Sequence, residues 1–160
     1  MQSITQIPFD EITGKIFRSP MPFGPYDGKQ DVFQEMVDHL VSTVVMLTTD
    51  DEALQKTGRE LRKFYAKEGL KVIHLPIPDY QIPDRQELNQ VIGKTLKLAR
   101  RGENIVIHCS AGCGRTGLFL AEMVKVIKQI PGDQAIKWVK QWVPCAVETE
   151  EQIAFILEQD

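Results

Sequence analysis

The residues best suited to covalent chemistry are Cys109 and Arg115, separated by five residues within the segment HCSAGCGRT that runs from His108 to Thr116. A cysteine attacks as its thiolate, and a free thiol is mostly protonated at neutral pH, so Cys109 needs a field that stabilises negative charge. A tight turn opening a helix supplies one, through converging backbone N–H groups and the partial positive charge of the helix N-terminus. Gly112 and Gly114 let the backbone take positive φ and approach a ligand closely. The amides of Ser110, Ala111, Gly112, Cys113, Gly114 and Arg115 can then ring three phosphate oxygens. Arg115 adds a planar fork that binds two of those oxygens together and follows them as charge shifts, which a lysine does less well. The chemistry indicated is attack on a phosphate ester.

Two other readings of the same residues fail. A nucleotide-binding P-loop ends in Gly-Lys-Ser/Thr, which is missing here, and GxGxxG is absent as well. An inert buried thiol followed by an ordinary surface arginine would need the pattern HCxxxxxR[ST] to arise by chance, in roughly one such chain in several hundred.

The elements that must hold this segment are legible around it. Ile105, Val106 and Ile107 form a short β-branched strand before it, and Leu118 to Ile130 resume helical spacing after it. Upstream, prolines and glycines confine residues 1–30 to short pieces, with Lys15 to Arg18 read as a short edge strand. Asp31 caps a helix to Leu40, and Val41 to Thr48 read as a buried strand. Leu54, Leu61, Phe64 and Tyr65 mark one helix ending at Gly69, and Val72, Ile73 and Leu75 a strand. A proline-stiffened loop leads to a long helix from Asp84 to Ala99, and two more helices, roughly 133–142 and 148–157, close the chain. Alternation of this kind predicts an α/β fold, a central and mostly parallel sheet flanked by helices on both faces. Ligands in such sheets bind beyond the carboxyl ends of the strands, where HCSAGCGRTG lies.

A phosphate ester's leaving oxygen gains from protonation, which calls for a carboxylic acid facing the cradle. Asp79, in LPIPDYQIPD, and Asp84 are the candidates, and Asp84 with Glu87 three residues on also reads as a helix cap.

With 160 residues, 42% apolar, 26% charged and a formal charge of -3, the chain is predicted to be one domain, residues 1–160, and nucleic acid is not an indicated partner. His39, His74 and His108 have no ligand spacing, so no metal or other cofactor is called for. No apolar stretch reaches membrane-spanning length and the start has no secretory pattern, which predicts a cytoplasmic protein. Three cysteines are too few for a disulfide framework: Cys145 is assigned to packing, Cys113 to packing or a redox pair with Cys109, and a reducing compartment fits. Trp138 and Trp142, four apart, read as core.

HCSAGCGRTG resembles the signature loop of the protein tyrosine phosphatase superfamily, and the length resembles its small atypical dual-specificity members, over most of the chain from about Val41. The resemblance implies a cysteinyl-phosphate on Cys109, equatorial oxygens held by Arg115, and a Thr116 hydroxyl that bonds the leaving thiolate. It further implies that His108 orients the loop, Asp79 is the acid, Glu148 or Gln152 positions water, and the Arg18 strand lies near the catalytic face. The implied substrates are phosphotyrosine and phosphoserine/threonine of proteins, or another small phosphate ester. The alternatives are a phosphoinositide, an inositol phosphate or an RNA 5′-phosphate, or a module that binds phosphate without hydrolysing it. The loop has no lysine, which speaks against the lipid and inositol options. Oligomeric state is not encoded in any of these features.

Overall fold

The computed structural model describes residues 3–158. Among them lie five strands, β1 Thr5–Ile7, β2 Ile16–Ser19, β3 Thr43–Met46, β4 Lys71–His74 and β5 Ile105–His108. The helices are α1 Val32–Asp38, α2 Asp50–Thr57, α3 Leu61–Lys67, α4 Arg85–Arg100, α5 Gly114–Lys128, α6 Gly132–Lys140 and α7 Glu150–Leu157. One sheet has the order β1-β2-β5-β3-β4, with β1 antiparallel to β2 and the other neighbours parallel.

Period-two alternation sends side chains of each central strand into two separate cores. Val45 and Leu47, Ile105 and Ile107, and Ile16 face the core shared with α4, α5, α6 and α7. Val44 and Met46, Val106, and Phe17 face the smaller core shared with α1, α2 and α3. Strands apolar on both faces are what a parallel sheet covered by helices requires.

The helix α5 is the central post. Every residue from Gly114 to Val124 is buried, so it is apolar nearly all round rather than along one stripe. Its one buried carboxylate, Glu122, is paired by Arg85 at 2.9 Å and Lys125 at 3.3 Å. Burial nevertheless raises the Glu122 pKa, against the pull of those two cations.

Four local readings are corrected. The segment from Lys15 is not at the sheet edge: β2 lies inside, with β1 outside it, because Thr5, Gln6 and Ile7 pair with Arg18, Phe17 and Ile16. The stretch read as one helix to Gly69 is two, since Gly58 at φ 71 ends α2 and a separate helix, α3, starts at Leu61. Asp31 stands at the start of α1 without a side-chain capping bond. Trp138 packs on Phe9 with ring centroids 5.1 Å apart, as its spacing predicts, whereas Trp142 is 40% exposed.

Candidate active site

β5 ends at His108, level with Ser19 of β2 and Met46 of β3, so Cys109 begins the loop beyond the carboxyl ends of three parallel strands. Leu47 N–H donates to His108 O and Met21 N–H to Ser110 O, pinning the loop's first residues between its neighbours. His108 is fully buried. Its Nδ1–H donates to its neighbour's carbonyl, Cys109 O, at 2.9 Å, which leaves Nε2 to accept from Tyr65 O–H at 2.8 Å. Burial lowers the His108 pKa to about 4, so the ring is neutral and serves as a strut.

The loop is held from behind by Arg18 of β2. Its Nη2 donates to Ala111 O at 2.8 Å and to Gly112 O at 3.0 Å, Nε also reaches Gly112 O, and Nη1 reaches Ser3 O. Turning those carbonyls backward is what frees the loop to turn N–H groups forward. Gly112 takes φ 79, and a Cβ there would fall 2.1 Å from Arg18 Nη2 and 2.5 Å from Ser19 O, so glycine is required twice over. Gly114 does not need positive φ. It starts α5, and a Cβ there would crowd Glu148 and Gln152 at 3.0 and 3.2 Å.

A cleft of about 460 Å³ gathers most of the sequence-predicted residues: Cys109, Ser110, Ala111, Cys113, Gly114, Arg115, Asp79, Glu148 and Gln152, together with Lys56, Tyr26, Tyr80 and Cys145. Thr116 lies beneath it, buried, with its hydroxyl lacking a hydrogen-bond partner. Asp84 is elsewhere: its carboxylate accepts from Glu87 N–H at 3.0 Å and caps α4, the second of its two readings.

Arg115 is 2% exposed, and both its terminal nitrogens are engaged. Its Nη1 and Nη2 make a fork on Glu52 at 2.8 and 2.9 Å, Nη1 also donates to Ile77 O at 2.8 Å, and Nη2 sits 3.0 Å from Asp79 Oδ1. Burial works against its charge, but the Glu52 fork and the nearby Cys109 and Asp79 outweigh it and hold the pKa above the ordinary arginine value. Glu52 shows the mirror image: burial pushes its pKa up, while the bonds from Arg115 and Lys56 bring it below the usual carboxylate range. Lys56 completes the set, 3.0 Å from Glu52 Oε2, 3.0 Å from Ser110 Oγ and 3.7 Å from Asp79 Oδ2.

The loop bearing Asp79 is bent by a turn in which Gln81 N–H bonds Pro78 O. Tyr80 occupies its third position at φ 64, where glycine or asparagine is usual, and its N–H donates to Asp79 Oδ1. The main chain before it stays tied to the sheet through Leu75 N–H to Met46 O and Ile77 N–H to Leu47 O.

The cysteine assignment is overturned. Cys113 and Cys145 form a disulfide with Cα atoms 5.2 Å apart, and Cys109 remains free. Cys145 is therefore neither plain packing nor idle, and Cys113 is paired with it rather than with the nucleophile candidate. The reading of a reducing compartment from cysteine count loses its basis, because a disulfide persists where the surroundings do not reduce it. Glu148, in the same connection as Cys145, accepts from Gly114 N–H at 2.9 Å. It does not open the last helix. Thr149 does so, in a capping box with Gln152, whose side-chain oxygen accepts from Glu148 N–H and Thr149 N–H.

Glu52, Lys56 and Tyr65 went unseen in the sequence. Glu52 and Lys56, four apart, look like any exposed helical ion pair, and Tyr65 looks like core. Their role comes from α2 and α3 being folded against the loop.

A family described as polymorphic toxin system, DSP-PTPase phosphatase, matches residues 23–128. The chain belongs to this family. The chain is similar to an uncharacterised protein of Methanocaldococcus jannaschii, 32% identical over 91 residues that cover 56% of this chain and 59% of that protein. It is also similar to human tyrosine-protein phosphatase non-receptor type 18, 30% identical over 111 residues, 61% of this chain and 24% of that one. The chain thus spans less than two thirds of the length of these curated relatives. Among solved structures, Tk-PTP in its active form superposes with a TM-score of 0.76 at 28% identity, covering 98% of this chain and 96% of that one. Kinase-associated phosphatase superposes with a TM-score of 0.84 at 18% identity, covering 96% and 90%, a likeness of fold alone. No helix of the described residues is long and apolar enough to cross a membrane.

Proposed function

We propose that residues 1–160 act as one phosphatase domain that hydrolyses phosphate monoesters through a cysteinyl-phosphate on Cys109, with dual specificity for phosphotyrosine and phosphoserine/threonine of proteins. The observation that carries this reading is the convergence of Cys109, Arg115 and Asp79 on one cleft, with the Asp79 carboxylate on the Arg115 guanidinium. In the first step Cys109 Sγ bonds to phosphorus as the ester P–O bond breaks, and Asp79 gives its proton to the leaving oxygen. The amides of Ser110 to Arg115, that of Gly114 once Glu148 has left it, and the Arg115 fork hold the three equatorial oxygens. In the second step Asp79 takes a proton from water, water oxygen bonds to phosphorus, and the P–S bond breaks. The unpartnered Thr116 hydroxyl is then available to donate to the departing thiolate. Gln152, lining the cleft from α7, is the candidate for placing that water, and Glu148 is the alternative.

The cleft is flanked by Tyr26 and Tyr80, each 60% exposed, an open mouth that suits side chains of more than one length. One observation favours a second reading. The loop has no lysine, yet Lys56 places an ammonium at Ser110 Oγ inside the cleft, where a second acidic group of a phosphoinositide or inositol phosphate would find it. A side-by-side assay of phosphotyrosine peptide, phosphothreonine peptide, phosphoinositides and RNA triphosphate decides between them, with Cys109→Ser as control. Turnover of both peptides supports the proposal. Turnover of none, nor of an aryl phosphate, leaves a phosphate-binding module.

A further inference from the structure

Three features converge on the connection between α6 and α7. Cys145 is bonded to Cys113 within the phosphate loop. Two residues later Val147 sits at φ 65, a left-handed conformation that a β-branched residue rarely takes. Next to it Glu148 lays Oε1 on Gly114 N–H at 2.9 Å.

The strained residue is held from several sides. Val147 N–H donates to Cys113 O at 3.3 Å, and Gly117 has no side chain to block it, since a Cβ there would lie 2.6 Å from Val147 N. The disulfide supplies the covalent restraint. The Glu148 main-chain N–H then donates to the Gln152 side-chain oxygen, which fixes it from the far side.

Such a carboxylate opposes phosphate in two ways. It occupies an amide that the cradle would offer to a phosphate oxygen, and it puts a negative charge where a dianion must sit. We propose, resting on the phosphatase reading above, that the Cys113–Cys145 disulfide and Glu148 set how tightly the cradle holds phosphate. Thiol–disulfide exchange at this pair switches the cleft between a weaker oxidised and a tighter reduced state.

In the exchange, a small dithiol breaks the Cys113–Cys145 bond. Two electrons and two protons pass to the pair, which become thiols, and the reagent becomes its own disulfide. A small-molecule disulfide reverses the step. Two thiols cannot keep bonding distance, so Cys145 moves off, Val147 returns to negative φ, and Glu148 leaves Gly114 N–H. The pair lines the open cleft, with Cys145 exposed, whereas Cys109 is 2% exposed, so the reagent meets the disulfide before the nucleophile.

The test is calorimetric titration of inorganic phosphate into the oxidised and the dithiol-reduced protein, each state and a free Cys109 verified by mass spectrometry. The expected result is a Kd roughly tenfold lower after reduction, from one recovered hydrogen bond and one removed repulsion. Cys145→Ser should match the reduced protein, and reduced wild type keeps the test open where that variant does not fold. Glu148→Ala should bind phosphate tightly in both states. Equal Kd values for the two states, or a Glu148→Ala protein that responds to the dithiol as wild type does, would overturn the proposal. Aryl phosphate hydrolysis is read separately. Turnover without a Kd shift sinks the switch alone, and a Kd shift without turnover sinks the catalytic reading alone.

Discussion

Arg115 Nη2 lies 3.0 Å from Asp79 Oδ1, and the other arm of the same guanidinium donates to Ile77 O, two residues earlier on the acid-bearing loop. Arg115 and the loop bearing Asp79 are therefore fastened to each other in the protein alone. In the proposed reaction phosphate takes the place of one carboxylate on Arg115, and the tie through Ile77 keeps the Asp79 loop beside the cleft.

Asp79→Asn keeps an acceptor for Arg115 but has no acidic proton to give. Hydrolysis of an alkyl phosphate, a poor leaving group, should fall about a hundredfold or more, the ordinary worth of a general acid, and that of an activated aryl phosphate by less than about tenfold. Comparing kcat/KM on the two substrates checks this, and equal losses would remove Asp79 from the acid's role.

Arg115→Lys exchanges a planar fork for a point charge on a shorter reach. Most activity should be lost, with kcat falling along with affinity for inorganic phosphate. Near-normal turnover would end the clamp assignment.

Glu52 is the partner that makes a buried guanidinium tolerable. Removing one member of a buried pair leaves an uncompensated charge, so Glu52→Ala should cost about 3 kcal/mol in urea unfolding at pH 7, along with a loss of kcat/KM. Unchanged stability would show that Asp79 and solvent suffice for Arg115.

His108 links stability to pH. Its folded pKa is depressed to about 4, by burial, from an ordinary value of about 6.5, so the unfolded chain binds the extra proton first. Its contribution is fully present above pH 6.5 and is lost as pH falls toward 4, by about 3 kcal/mol at most. Unfolding midpoints followed from pH 7 to pH 4 should fall through that window, and less steeply in His108→Gln. Parallel profiles for the two proteins would rule the ring out as the titrating group.

The fold and half of the site were readable because they rest on local pattern. The β-branched run before Cys109, the glycines after it and the helical spacing beyond announce strand, loop and helix without any distant contact. Asp84 could be read as a cap for the same reason, its partner being three residues away. What escaped is what depends on which elements meet. Glu52 touches Arg115 across 63 positions and Arg18 touches Gly112 across 94. The Cys113–Cys145 pairing escaped because two cysteines 32 apart carry no sign of the 5.2 Å that folding puts between their Cα atoms. The separate helices α2 and α3 turn on Gly58, whose left-handed conformation is a matter of one residue.

β2 lies inside the sheet, and Arg18 upon it grips the backs of Ala111 and Gly112. The stretch matched by the family, residues 23–128, therefore stops short of the strand that holds the loop at one end, and of Cys145, Glu148 and Gln152 at the other. A fragment trimmed to that stretch would lose β1 and β2 and expose the edge of β5 that β2 covers to pairing with other chains. Boundaries for expression and for grafting this loop onto other scaffolds belong before Thr5 and after Leu157, with β1 and β2 kept as part of the frame that holds the loop.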